Sequence, residues 1–137
     1  LVPSIIALRK PVLGICVGMQ LLTTHSEEGD SELTGIIPLQ TRLFSDKLNV
    51  KVPHTGWNKV FQSSKNPLFS DIRPGTHFYF VHSYFIEFNP IFTIALAEYG
   101  IKFSAVIQKD NFYGVQFHPE KSGIAGEQLL KNFAHLA

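Results

Sequence analysis

A cysteine bracketed by glycines and a histidine just ahead of a glutamate are the side chains of this sequence best suited to covalent chemistry. The first is Cys16, in Gly14-Ile15-Cys16-Val17-Gly18; the others are His118 and Glu120, in Gln116-Phe117-His118-Pro119-Glu120. A nucleophile on a sharp strand-to-helix bend needs small neighbours, because the backbone turns hard and the nucleophile itself takes an unfavourable φ/ψ. Gly14 and Gly18 supply that room. The Gly-x-Ser-x-Gly elbow has the same layout, with a thiol here in the place of the serine. The N–H groups and dipole of the following helix would favour thiolate over thiol. An isolated cysteine is more often a buried structural residue, and the glycine bracket after an apolar run is what argues otherwise.

A nucleophilic thiol needs a base oriented by a third group. His118 closes a strand-like run, and Pro119 restricts the backbone between it and Glu120. Glu120 can accept the His118 N–H, fix the tautomer and stabilise the imidazolium formed when Cys16 loses its proton. A surface histidine beside a surface glutamate is the plainer alternative, and the cysteine elbow in the same chain weakens it. Cys16, His118 and Glu120 could also ligate zinc, but no dense set of further ligands lies nearby, so no metal and no cofactor is expected. His25, His54, His77 and His135 have no comparable context.

These groups have to be positioned by the elements around them. Pro11 to Cys16 reads as a central parallel strand buried on both faces. From Val17 the spacing turns helical through Met19, Leu21 and Leu22, ending at polar Ser26 to Gly29. Residues Leu1 to Lys10 read as the tail of a preceding helix. Strand character follows at Ile36 to Phe44, Lys59 to Phe61, Thr76 to Phe85, Ile91 to Tyr99, Lys102 to Gln108 and Phe112 to Phe117. A closing amphipathic helix over Gly126 to Ala137 places Leu129, Leu130, Phe133 and Leu136 on one face. The expected class is α/β.

Composition bounds the rest. Of 137 residues, 45% are hydrophobic and 17% charged, which suits a packed core and not a disordered chain. Lys plus Arg number 12 against 11 Asp plus Glu, with no basic cluster, so nucleic acid is a poor expectation as partner. The single cysteine excludes an internal disulfide and fits a reducing, cytoplasmic setting. No apolar run approaches membrane-spanning length, so no membrane partner is expected.

Gly14 to Gln20 and Phe117 to Ser122 resemble the class I, Cys-His-Glu type glutamine amidotransferases. Within that class, three stretches look like the glutaminase subunits of imidazole glycerol phosphate synthases: Val52-Pro53-His54-Thr55-Gly56-Trp57-Asn58, Phe78-Tyr79-Phe80-Val81-His82-Ser83-Tyr84 and His118-Pro119-Glu120-Lys121-Ser122. The resemblance implies a three-layer sandwich with a mixed, mainly parallel sheet. It implies that Cys16, with His118 and Glu120, hydrolyses L-glutamine through a glutamyl thioester. It sets Gln20, His82, Ser83 and Tyr84 against the substrate and gives the Val17 backbone N–H as an oxyanion donor. It also puts Trp57, Asn58 and Lys121 on the face of a heterodimer with a β/α-barrel cyclase subunit, which receives the ammonia for histidine biosynthesis.

Family members carry further βα units and a Gly-rich turn, the source of a second oxyanion donor, ahead of the cysteine strand. The expectation is therefore a partial type 1 domain over residues 1–137, N-terminally truncated. Losing one oxyanion donor costs about 10²- to 10³-fold in turnover. Two other readings stand beside the glutaminase: a non-catalytic fragment or interaction module, and an ammonia donor to a sugar amidotransferase in surface polysaccharide synthesis.

Overall fold

A computed structural model describes residues 2–44 and 48–136. Leu1 and Ala137, the outer ends of two expected helical segments, lie outside the described residues. A short helix α1 (Val2–Ile6) leads to strand β1 (Val12–Ile15), helix α2 (Val17–Gln20) and the small strands β2 (His25–Ser26), β3 (Ser31–Glu32) and β4 (Gln40–Leu43). Then come β5 (His54–Gln62), β6 (Thr76–His82), β7 (Tyr84–Ile86), β8 (Thr93–Glu98), β9 (Lys102–Lys109), β10 (Phe112–Val115) and the closing helix α3 (Gly123–Ala134).

The main sheet runs in the order β1-β10-β9-β8-β5-β6, and a smaller one in the order β3-β2-β4-β7. Alternation along β1 sorts two cores onto the two faces of the main sheet. Val12 packs with Met19 of α2, Ile107 and Phe112, while Leu13 and Ile15 pack with Val115, Phe117 and Leu129 of α3. Helix, sheet and helix thus form the expected layers of an α/β domain. Among the described residues no helix is long and apolar enough to cross a membrane.

The sheet is mixed, as expected, but its pairing is not mainly parallel. β1 and β10 pair in parallel, whereas β10–β9, β8–β9, β5–β8 and β5–β6 are antiparallel. The connections decide this. A parallel pair needs a crossover of a dozen residues or more, and a turn as tight as Asp110-Asn111, with Asp110 at φ 54°, can only reverse the chain.

Other boundaries also differ from the sequence pattern. β5 begins at His54 and pairs with β6 from His54↔His82 to Val60↔Thr76, so the segment expected to precede a short strand is itself strand. The run Thr76 to Phe85 breaks at Ser83, where the chain leaves one sheet for the other: His82 pairs with His54, and Tyr84 with Leu43. Helix α2 stops at Gln20, because Leu22 N–H and Thr23 N–H turn back to Met19 and Gln20 oxygens and the chain enters β2.

Candidate active site

Cys16 sits where β1 ends and α2 begins, at φ 54° and ψ −105°. An L-residue adopts such a conformation only under compulsion, at a cost of about 1–3 kcal/mol. The compulsion comes from both sides. Cys16 N–H donates to the Val115 oxygen at 2.8 Å, which ties it to β10, and Gln20 N–H donates to the Cys16 oxygen at 3.2 Å, which starts the helix. A Cβ on Gly14 would lie 2.4 Å from the Gly18 oxygen, so only glycine admits this turn. At Gly18 a Cβ would meet nothing within 4 Å. The room the elbow needs is thus at Gly14, where Gly18 contributes its backbone.

The β1–β10 pairing carries His118 to the same end of the sheet. Ile15 stands beside Val115, and the chain continues through Gln116 and Phe117 to His118, whose N–H donates to the Tyr79 oxygen at 2.9 Å. His118 Nδ1 lies 2.9 Å from Glu120 Oε2. Burial by itself would raise the Glu120 carboxyl; the hydrogen bond from His118 and the nearby positive charges outweigh it and hold the group below its ordinary value.

Ser122 is a part of this arrangement that sequence reasoning passed over. Its buried hydroxyl donates to the His118 oxygen at 2.6 Å and accepts from Tyr79 N–H at 2.9 Å, clamping the histidine segment to β6. Gly126 completes the seat, since a Cβ there would fall 1.9 Å from the Pro119 oxygen.

The thiol itself bonds elsewhere. Sγ lies 3.7 Å from the Val81 oxygen, to which the S–H donates, and 3.7 Å from Gln116 Nε2, which donates to the sulfur. Burial pushes its pKa above the ordinary value, against the opposing pull of Val17 N–H and Gln116. The helix start does not make a thiolate of it: four residues carry little dipole, and desolvation wins.

An open cleft of about 310 Å³ lies over the sulfur, bordered by Val17, Gln20, Glu28, His82, Ser83 and Tyr84. Each residue expected to meet a ligand borders it. The His82 ring commits both nitrogens inside the fold: Nδ1 donates to the Tyr84 oxygen at 2.7 Å, and Nε2 accepts from His54 Nδ1 at 2.9 Å. His54 Nε2 in turn meets Asn58 Nδ2 at 3.4 Å. The pattern is complete with both imidazoles neutral, and burial holds each near a pKa of about 4. His82 is therefore a wall of the cleft, its ring tilted against those of Phe44, Phe80 and Phe103. Glu28 went unrecognised because its Glu27-Glu28-Gly29-Asp30 run reads as the polar end of a helix.

On the outward side, Trp57 is 55% exposed, and its ring meets Tyr79 edge-on at 5.9 Å. Lys121 is exposed on the turn after His118. Asn58 is half turned in, its Nδ2 donating to the Glu98 oxygen at 2.8 Å. A larger cleft of about 420 Å³, bordered by Asn58, Phe61 and Lys102, carries no thiol or hydroxyl side chain. No group of three or more metal-ligating side chains forms among the described residues.

With this geometry in place, the comparisons with known proteins are specific. The family described as "Glutamine amidotransferase class-I" matches residues 1–137. The imidazole glycerol phosphate synthase subunit HisH of Pasteurella multocida is 50% identical over 133 residues, 97% of this chain and 66% of that protein. The HisH subunit of Shigella flexneri is 53% identical over 131 residues, 95% of this chain and 66% of its own length. The chain thus spans just under two thirds of the length of these curated relatives. Among solved structures, a GMP synthase protein from Thermoplasma acidophilum superposes with a TM-score of 0.72 at 20% identity, over 98% of this chain and 61% of that one. The glutaminase domain of Trypanosoma brucei CTP synthase gives 0.61 at 17% identity, over 93% and 61%. At these identities the likeness is one of fold.

Proposed function

The chain belongs to the class-I glutamine amidotransferases, and from that premise we propose that it hydrolyses L-glutamine to L-glutamate and ammonia as the glutaminase of an imidazole glycerol phosphate synthase in cytoplasmic L-histidine biosynthesis. The observation that carries the reading is the strained Cys16 elbow beside a strand that delivers a bonded His118–Glu120 pair. With Nδ1 held by Glu120, the His118 Nε2 is the nitrogen left to take the thiol proton. Sγ then attacks the side-chain amide carbon of glutamine, and the oxyanion that develops is met by Val17 N–H. The imidazolium gives its proton to the leaving ammonia, and the thioester is hydrolysed by water with His118 again as base.

The cleft supplies the remaining contacts. Gln20, Ser83 and Tyr84 offer polar groups to the glutamine, and Glu28 a carboxylate for its ammonium. Trp57, Asn58 and Lys121 form the face toward a cyclase subunit that takes the ammonia. The HisH relatives at 50% and 53% identity favour this acceptor over a sugar amidotransferase. The test is ammonia release from glutamine by the purified chain with and without a barrel cyclase subunit. Release that disappears in Cys16→Ala supports the glutaminase; a folded chain that releases none in either setting is the non-catalytic module instead.

A further inference from the structure

Beneath the sulfur lies a side chain that the proposed reaction leaves unused. Gln116 is fully buried, and a buried amide is costly unless both of its ends are bonded. Its orientation follows from the contacts. The Tyr84 carbonyl can only accept, so the end of Gln20 that approaches it at 3.3 Å is Nε2. That same Nε2 donates to Gln116 at 3.2 Å, so the atom it meets is Oε1. The other end of Gln116 is therefore Nε2, a donor, and it points at Cys16 Sγ from 3.7 Å. A backbone carbonyl, relayed through Gln20, thus sets which end of Gln116 faces the nucleophile.

We propose that Gln116 positions and stabilises the thiolate of Cys16: its Nε2–H holds the sulfur in the resting thiol and strengthens its hold as the proton leaves. The purpose of this device rests on the glutaminase reading, while its geometry does not. In the resting state the S–H donates to the Val81 oxygen. Once the proton has gone to His118, that oxygen faces an anion and only repels it, whereas the Gln116 N–H becomes a charge-assisted donor. The contact is worth more after ionisation than before, so it shifts the equilibrium toward thiolate. Gln116 indeed opposes the rise that burial imposes on the thiol, as does Val17 N–H, with Glu120 acting upward and Lys121 downward; Glu28, His82 and Tyr84 are the other titratable groups lining the cleft.

The experiment is the rate of iodoacetamide alkylation against pH, in the full chain, for wild type, Gln116→Met and Gln116→Glu. The chain has a single cysteine, so the reagent reads Cys16. Gln116→Met removes the donor; Gln116→Glu keeps the size and the acceptor toward Gln20 and replaces the donor with a second oxygen. Both are expected to move the alkylation midpoint upward, by about one unit for the methionine, which is about tenfold slower labelling at a fixed pH below the midpoint. A role in packing alone would leave the midpoint of the neutral methionine variant in place, and an unmoved midpoint in that folded variant overturns the proposal. If the methionine variant loses its fold by circular dichroism, Gln116→Leu, likewise neutral and without a donor, decides, because a carboxylate beside the sulfur raises the midpoint by its charge alone. Ammonia release by the wild type separates the two readings. No release with a shifted midpoint sinks the glutaminase and leaves Gln116 standing; release with an unmoved midpoint does the reverse.

Discussion

Gly14 and Gly114 are partners in the parallel β1–β10 ladder, and together they leave a bare patch of backbone on which the α2 turn lies. A Cβ on Gly14 would meet the Gly18 oxygen at 2.4 Å, and one on Gly114 would meet Met19 Cγ at 2.6 Å. Cys16 is held above the sheet at a height that two hydrogen atoms define.

The two glycines are expected to respond differently to alanine. At Gly14 the obstacle is backbone, so the elbow itself has to move; the cost is at the upper end of the overpacking range, about 3 kcal/mol, with loss of ammonia release. At Gly114 the nearest atom belongs to a flexible methionine, and about 1 kcal/mol is expected. Urea unfolding of both variants measures the difference, and equal losses would remove the patch as the seat of the elbow.

Strain at Cys16 has a stability signature. Because φ is 54° there, Cys16→Gly should be more stable than wild type by about 1 kcal/mol while releasing no ammonia. Cys16→Ala, which keeps a Cβ, should be equally inactive without the gain. A glycine variant less stable than the alanine variant would show that the backbone relaxes elsewhere.

Glu120→Gln leaves a side chain of the same size against His118 Nδ1 but removes the charge that balances the imidazolium. Turnover should fall on the order of 10²-fold with KM for glutamine nearly unchanged. Steady-state ammonia release gives both numbers, and an unchanged kcat takes Glu120 out of the mechanism.

His54 and His82 give the fold an acid sensitivity of defined sign. Both are held near a pKa of about 4 in the folded chain against 6.5 when unfolded. Their contribution is fully present above pH 6.5, is lost as pH falls toward about 4, and levels off below it, because only the unfolded chain takes up protons in that window. Each histidine adds a slope of at most about 1.4 kcal/mol per pH unit. Urea midpoints across this range should flatten in a His54→Gln, His82→Gln double variant, and an identical slope in that variant would refute the assignment.

The chemistry was legible because it is local. Gly14, Cys16 and the His118-Pro119-Glu120 step announce themselves by residue type and short spacing, and the strand before each follows from a continuous apolar run. Helix α2 was overread, since Leu21 and Leu22 keep helical spacing while their backbone already turns away toward β2. His82 was set against the ligand by the resemblance of its His82-Ser83-Tyr84 stretch, and nothing in that motif reveals that His54, 28 residues earlier, meets its Nε2.

By itself, then, the sequence singled out the groups proposed to carry the reaction and the kind of bend on which Cys16 sits. What surrounds the Cys16 thiol was decided by the tertiary structure alone. Gln116 reaches Cys16 across 100 residues of chain, Val81 across 65, and Ser122 reaches Tyr79 across 43. The physical reason is that a thiol's reactivity depends on its desolvation and on the donors and acceptors within a few ångströms. Those neighbours are chosen by strand pairing, above all the parallel β1–β10 ladder, whose register no local pattern of residues encodes.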